Sequence, residues 1–579
     1  MNYMTANILK SKNIEELSQK ADEILQEADQ EQLKMFFDSL VEVEYTFDSF
    51  FDEARFYYIL GNCSQVLYSY DRLDWFSDEL SKSVTFFRKA LYAIRQINFL
   101  TDEEMYLQSC IETNFGNSLR SQGRAFCCIP LWDNAIKCKQ NPVPILSKAN
   151  HELFLAKNVY DPSHKQYHYF TAYQLIQLGL KHLDQLYPEQ RVAYSEDGDL
   201  MNFKAWFEDT FKTDDFAYFD LYKMDFESKK QSNYLMWCAG NRLFINDLND
   251  VSVSEIVYQD IINLPSISQV INPTLSMYEE LMYHGNFDEL KNDYCYARYL
   301  IFSAKDIPDD YTHFFNDTYS HVEDMSYSIT NLKSSHYKSA FRILYSLFDK
   351  IAYFIHRFFD LNDIENDHKI SFDSIFRKIG EKKWKPHLKL KNSQNYFIHA
   401  LFYVLKDIRD VKDSTSVSYW IDPDAKAFSE IRNAIEHRSL KIVDDFGYTL
   451  TQSDKAYKQS QLEKLNAEID DLNTQIEELY NEINSTNKVQ NDVVKAELEN
   501  KKQILDKELH LARLKVYEQK KLSSHSVLIK VSEFESRLMT LMKLARNSIM
   551  YLSLAIHIEE QNKLDIDTLM MPREVPLRS

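Results

Sequence analysis

Glycine and proline are both scarce here, at 9 and 12 in 579 residues. Sheet-rich folds with many tight turns depend on them, as do the glycine loops that cradle nucleotide phosphates. Their scarcity argues against a Rossmann domain, a P-loop ATPase, a β-sandwich or collagen. The seven cysteines (63, 110, 127, 128, 138, 238 and 295) form no CxxC pair, so neither a zinc ribbon nor a disulfide framework is expected. The first residues, MNYMTANILKSKN, lack the apolar core of a secretory leader. No apolar run approaches the roughly 18 residues of a membrane span. A cytoplasmic address with no membrane partner is expected. What is abundant is aromatic surface: 37 Tyr and 37 Phe within a 44% apolar composition, ample for a packed core. An all-α fold is expected.

Charge of one sign dominates, with 88 Asp and Glu against 67 Lys and Arg, a balance of −21. Such a surface repels polyanions at long range. Any nucleic-acid site must be a local basic island, and no DNA partner is expected. One candidate island is RKIGEKKWKPHLKLK, residues 377–391, where Lys382, Lys383 and Lys385 could steer phosphates and Trp384 could stack on a base. A solvated basic loop is the bland alternative. His164 and His168 are four apart and could share a metal, but no nearby Glu or Cys completes a set. No metal or cofactor is expected.

Residues 1–265 read as successive helices. Within 112–142, Phe115, Gly116, Leu119, Gly123, Arg124, Cys128, Trp132, Ala135 and Pro142 fall near the small and large positions of a tetratricopeptide repeat. Tyr57, Leu60 and Gly61 repeat the relation, although Phe86, Phe87 and Ala90 come about ten residues late for that unit. A generic helical hairpin is the alternative. YLMWCAGNRLFINDLND (234–250) is rich in Asn and Asp, which favour caps and turns, and marks a junction. Residues 266–330 read as a helical connector. SAFRILYSLFDKIAYFIHRFF (339–359) is apolar on more than one face, as in a buried central helix; Asp349 and Lys350 interrupt it and need partners.

From Leu462 the pattern becomes a heptad seam. Leu462, Leu465, Ile469, Leu472, Ile476, Leu479 and Ile483 alternate spacings of three and four. After NSTN (484–487), Leu498, Leu505, Leu509, Ala512 and Val516 form a second arm. An antiparallel coiled-coil hairpin at 455–522 is expected, with arms roughly 33 Å long. A parallel dimeric coiled coil is the alternative.

The chemistry-bearing segment is WIDPDAKAFSEIRNAIEHRSL. Asp422 and Pro423 make a helix start. On the wheel, Phe428, Ile431 and Ile435 share one side, and His437 lies roughly 160° from Ile435. Asn433 and His437 stack at i,i+4, as do Arg432 and Glu436. By spacing alone this is an exposed helix with an ordinary ion pair and a solvated imidazole.

The run Arg432-Asn433-Ala434-Ile435-Glu436-His437 also resembles the HEPN signature of Arg, a polar residue, and His after four to six positions. Together with YLMWCAGNRLFINDLND and AFRILYSLFDKIAYFI, it looks like the LA2681-like HEPN family over roughly 230–560, excluding the coiled-coil insert. The resemblance implies a HEPN four-helix bundle at 331–454 and 523–571 that pairs as a homodimer or higher homo-oligomer. It also implies a metal-independent endoribonuclease of toxin and anti-phage systems. His437 would do general acid/base work and Arg432 would stabilise the phosphorane, because imidazole titrates near neutral pH and guanidinium is a permanent fork for phosphate oxygens. Asn433 would orient His437 or the RNA, Glu436 would hold Arg432, and Arg438 would add an RNA contact. Asp349 would support the site from below or anchor a salt bridge. The helical repeats would receive a protein or peptide trigger. The rival from a different class is a non-catalytic HEPN scaffold or sensor, which the overall acidity favours.

Overall fold

The computed structural model describes residues 7–563 apart from 42, 44, 71–73, 268–278, 321–326, 362–363, 365, 372–374, 377–384, 409–422, 487–491 and 523–525. It is an all-α protein. The N-terminal helices are α1 (Ser11–Glu27), α2 (Gln30–Val41), α3 (Phe50–Tyr70), α4 (Asp78–Ile94), α5 (Asp102–Ser121), α6 (Ala125–Ala135), α7 (Val143–Asn158) and α8 (Pro162–Leu180). The main helices that follow are α9 (Asp199–Thr210), α10 (Lys229–Gly240), α11 (Glu279–Lys305), α12 (Leu332–Phe358), α13 (Tyr396–Ile408), α14 (Pro423–His437), α15 (Asp445–Thr486), α16 (Asp492–Leu522) and α17 (Val531–Lys563). Strand signals were not read from the sequence, yet two short parallel pairs occur. β1 (Asn7–Leu9) pairs with β2 (Tyr45–Phe47), and β3 (Ser439–Val443) with β4 (Ser526–Lys530).

Local chemistry accounts for the helix starts. The Thr101 hydroxyl accepts from the Glu104 N–H, and the Glu104 carboxylate accepts from the Thr101 N–H at 2.7 Å, a capping box opening α5. Asp161 caps α8 ahead of Pro162. Consecutive helices pair as α3 with α4, α5 with α6, and α7 with α8. Gly116 of α5 lies where a Cβ would come 2.6 Å from the Trp132 indole nitrogen, so its small size sets the approach of α6. Trp132 is fully buried there, with Leu119, Cys128 and Ala135. Gly123 turns the chain between α5 and α6 at φ +78°, and a Cβ would meet the Tyr396 carbonyl oxygen at 2.0 Å. Only glycine satisfies both demands.

Contacts divide the chain into two compact units: residues 1–298, 343–426 and 540–579, and residues 299–342 and 427–539. In the first, α13 is buried along its length, with Phe397, Leu401, Phe402 and Leu405 at 0% exposure. Trp75 stacks on His399 at 4.0 Å, and Asp407 takes Arg88 at 2.6 Å and also Arg124. Lys350 finds its partners in Asp293, at 2.7 Å, and Glu289.

The Asn- and Asp-rich junction is a buried polar knot. Asp250 accepts two bonds from Arg546, at 2.8 and 3.1 Å, while that guanidinium also bonds the carbonyls of Phe244 and Asn246. Asn249 donates to the Ala239 carbonyl and Asn246 to that of Gln259. Asp247 bonds His164 at 2.7 Å and His168 at 3.0 Å, and His168 bonds Glu152 at 2.6 Å. His164 and His168 are thus brought together by Asp247 and Glu152, two carboxylates remote in sequence. Both ring nitrogens of His168 and Nδ1 of His164 are spent on these hydrogen bonds, and among the described residues no group of three such donors is arranged to hold a metal ion.

Burial opposes charge on His168, but its hydrogen bonds and attraction to Asp247 and Glu152 outweigh that and push the imidazole up to about 10. This group is charged in the fold and more weakly basic when unfolded, so its stabilisation is complete below the ordinary value of 6.5. It fades as pH rises toward 10. His151 acts oppositely: burial holds it neutral, down to about 3, so its stabilisation fades as pH falls below 6.5. The midpoint of chemical unfolding should therefore decline between pH 7 and 10, and His168→Gln should begin lower and flatten that decline. An unchanged slope in the variant would rule the linkage out.

In the second unit, β3 and β4 run parallel with Leu440 opposite Val527 and Ile442 opposite Ile529. Parallel strands need a long crossover, and here α15 and α16 are that crossover. The other edge of β3 is taken by the Ile329 N–H, which donates to the Ile442 carbonyl at 2.7 Å. The two arms pack antiparallel: Arg513 reaches Asn473, and the Lys502 ammonium lies over the Tyr480 ring at 5.2 Å. Leu472, Leu479, Leu505, Leu509 and Ala512 form their seam.

Candidate active site

Helix α14 begins at Pro423, as the sequence implies; Asp422 lies outside the described residues. The helix buries one face. Phe428, Ile431, Ala434 and Ile435 are between 1 and 9% exposed, and Phe428 meets Phe341 of α12 with ring centroids 6.4 Å apart. Phe341 in turn contacts Phe534 at 5.9 Å. Burial of this stripe fixes the rotation of the helix, which presents Asn433, Glu436 and His437 to solvent and leaves Arg432 half-buried. The His437 imidazole is exposed at the last residue of the helix and makes no hydrogen bond to a described residue. The Arg432 guanidinium donates to the Asn433 side-chain oxygen at 3.4 Å.

Glu436 takes a partner different from the expected Arg432. Its carboxylate accepts from Nε of Arg342 at 3.0 Å, and Nη2 of the same guanidinium donates to the Ile435 carbonyl at 3.0 Å. The physical reason lies in the helix end. Its last carbonyls lack an intrahelical donor, so an arginine from α12 gains two bonds there, where Arg432 could offer Glu436 only the ordinary i,i+4 pair. One turn earlier on α12, the Lys338 ammonium donates to the Leu440 carbonyl at 2.7 Å. Burial, reinforced by the neighbouring Arg342 charge, lowers the basicity of Lys338. Lys338 and Arg342 thus bring two cations from α12 to this end of α14, where Glu436 pairs with Arg342, and the exposed Arg438 follows directly in the chain.

Arg342 and Lys338 were not singled out from sequence. Their i,i+4 spacing is visible in the sequence, but nothing there shows which helix end they face. Asp349 lies half-buried on α12, beside the paired Lys350. Lys382, Lys383 and Trp384 lie outside the described residues. Lys385 is exposed, with its N–H donating to the Phe376 carbonyl at 2.8 Å.

Residues 276–474 match the LA2681-like HEPN family. No curated protein and no solved structure matches the chain. The matched segment contains the whole motif helix, together with Lys338, Arg342 and β3. It is narrower than the resemblance read from sequence: the stretch 234–250 precedes it, and that stretch is the buried knot. Among the described residues, no helix is long and apolar enough to cross a membrane.

Proposed function

We propose that this protein is a metal-independent HEPN endoribonuclease acting as a homodimer. The observation that carries the reading is the cationic, solvent-reachable end of α14. Arg432 and His437 lie there within the HEPN segment, and Arg342 adds a second guanidinium from α12. In the reaction, the 2′-oxygen of a ribose attacks the adjacent phosphorus while an imidazole accepts its proton. The bond to the 5′-oxygen then breaks as that oxygen takes up a proton, leaving a 2′,3′-cyclic phosphate and a 5′-hydroxyl. His437 supplies one imidazole, and pairing of two subunits would supply the second. Arg432 and Arg342 stabilise the charge gathering on the phosphorane, where fixed donors are worth most. Asn433 orients the Arg432 fork, and Glu436 holds Arg342 against the helix end. Arg438 and Lys441 extend the phosphate track.

The paired N-terminal helices would receive a protein or peptide trigger, as suits a toxin or anti-phage effector in the cytoplasm. The test is chemical. Single-stranded RNA incubated with the protein in EDTA should yield 2′,3′-cyclic phosphate and 5′-hydroxyl ends. Ends bearing 3′-hydroxyl and 5′-phosphate would exclude this mechanism.

A further inference from the structure

The buried polar knot leaves one imidazole nitrogen unused. His164 bonds Asp247 through Nδ1 at 2.7 Å, while its Nε2 makes no hydrogen bond to a described residue. Burial opposes the charge of Asp247, but His164 and His168 outweigh it and hold the carboxyl below its ordinary value. An ionised Asp247 accepts the Nδ1–H, which leaves Nε2 of the neutral ring as an open acceptor. His168 and Glu152 stand behind Asp247 and fix its orientation. His164 is only 7% exposed, yet it lines a recess that opens to solvent.

Val159, Ile261, Ile262 and Leu554 supply the apolar part of that recess, and Tyr160, Asp161 and Asp247 join His164 in the polar part. The Tyr160 O–H is already given to the Asn263 carbonyl at 2.6 Å. Asp161 spends Oδ1 on the first N–H groups of α8, from Ser163 at 2.8 Å and His164 at 3.2 Å, while Oδ2 bonds no described residue. Among the described residues, the lining side chains thus hold two open acceptors, one of them anionic, and no open donor. That pattern attracts a cation with N–H groups to give and repels an anion. The free volume, about 70 Å³, is several times the least that one water needs, which suits a body of a few carbon atoms.

We propose that this recess binds a small primary amine in its protonated form, the ammonium donating to Nε2 of His164 and to Asp161 while the apolar lining covers a short aliphatic body. The residues involved lie outside the segment matched to the HEPN family, and the site does not depend on the ribonuclease reading.

Isobutylamine hydrochloride is the probe, offered to the full-length protein at pH 7 and followed by saturation-transfer NMR of its methyl groups. Transfer to the amine is expected, with isobutanol weaker and isobutyrate at background. Asp161→Asn should weaken binding several-fold, although its amide oxygen still caps α8. His164→Asn, whose amide can still donate to Asp247, removes Nε2 and should weaken binding likewise. Ile261→Trp, at a position 36% exposed, should abolish binding by filling the recess, and an unchanged thermal unfolding midpoint in that variant confirms an intact fold. No transfer to the amine, equal transfer to isobutanol or isobutyrate, or wild-type binding in any of the three variants would overturn the proposal.

Discussion

His437→Ala should reduce the rate of RNA cleavage by about 10²–10⁴-fold, the usual contribution of a positioned proton-transfer group. Its imidazole is exposed and hydrogen-bonds to none of the described residues, so its removal should leave stability nearly unchanged, which thermal unfolding can check. Arg432→Ala should cost about 10²–10³-fold, like the loss of a donor to a charged transition state. Arg432→Lys should recover little of this, because a point charge does not replace the planar fork. Mixing wild-type and His437→Ala subunits separates two geometries. If each cut uses imidazoles from both subunits, activity falls as the square of the wild-type fraction. If one subunit suffices, it falls linearly.

Arg546→Ala should cost about 3–5 kcal/mol of stability, the typical result of stranding one partner of a buried ion pair. Arg546 and Asp250 are each 2% exposed in side chain, and their separation of 2.8 Å leaves no room for water between them. The same guanidinium satisfies the carbonyls of Phe244 and Asn246. Its loss therefore leaves the buried Asp250 carboxylate and the Phe244 carbonyl without that donor, while the Asn246 carbonyl keeps the Asn249 N–H at 3.1 Å. Asp250→Asn should cost less, since the amide oxygen still accepts from Arg546. The midpoint of chemical unfolding reads both, and a loss within experimental error for Arg546→Ala would show that the knot does not hold this unit together.

The sequence made some features legible because a local rule governed them. The heptad spacing of Leu472, Leu479 and Leu505 anticipated the antiparallel arms, and Gly116 anticipated a close approach of two helices. Pro423 anticipated the start of the motif helix, and the wheel anticipated that His437 turns away from Ile435. Other features depend on which distant segment arrives. Nothing in the spacing of His164 and His168 could show that Glu152 and Asp247 would bond them. The Asn- and Asp-rich stretch at 246–250 read as a turn, while its burial depends on Arg546, some 300 residues later in the chain. Arg342 displaced Arg432 as the partner of Glu436 because the end of a neighbouring helix offered it a carbonyl as well. The strand pair β3 and β4 escaped notice because its members flank an 82-residue crossover, and neither is long enough to show alternation.

Single-turnover incubation in chelator is the most direct measurement. It would use one RNA and a DNA of the same sequence, with wild type and His437→Ala side by side. The expected result is that wild type cuts the RNA and leaves the DNA intact, because only ribose carries the attacking 2′-hydroxyl, while His437→Ala leaves both intact. Equal cutting of RNA by wild type and His437→Ala, or cutting of the DNA, would contradict the assignment of His437 and Arg432 as the centre of the reaction.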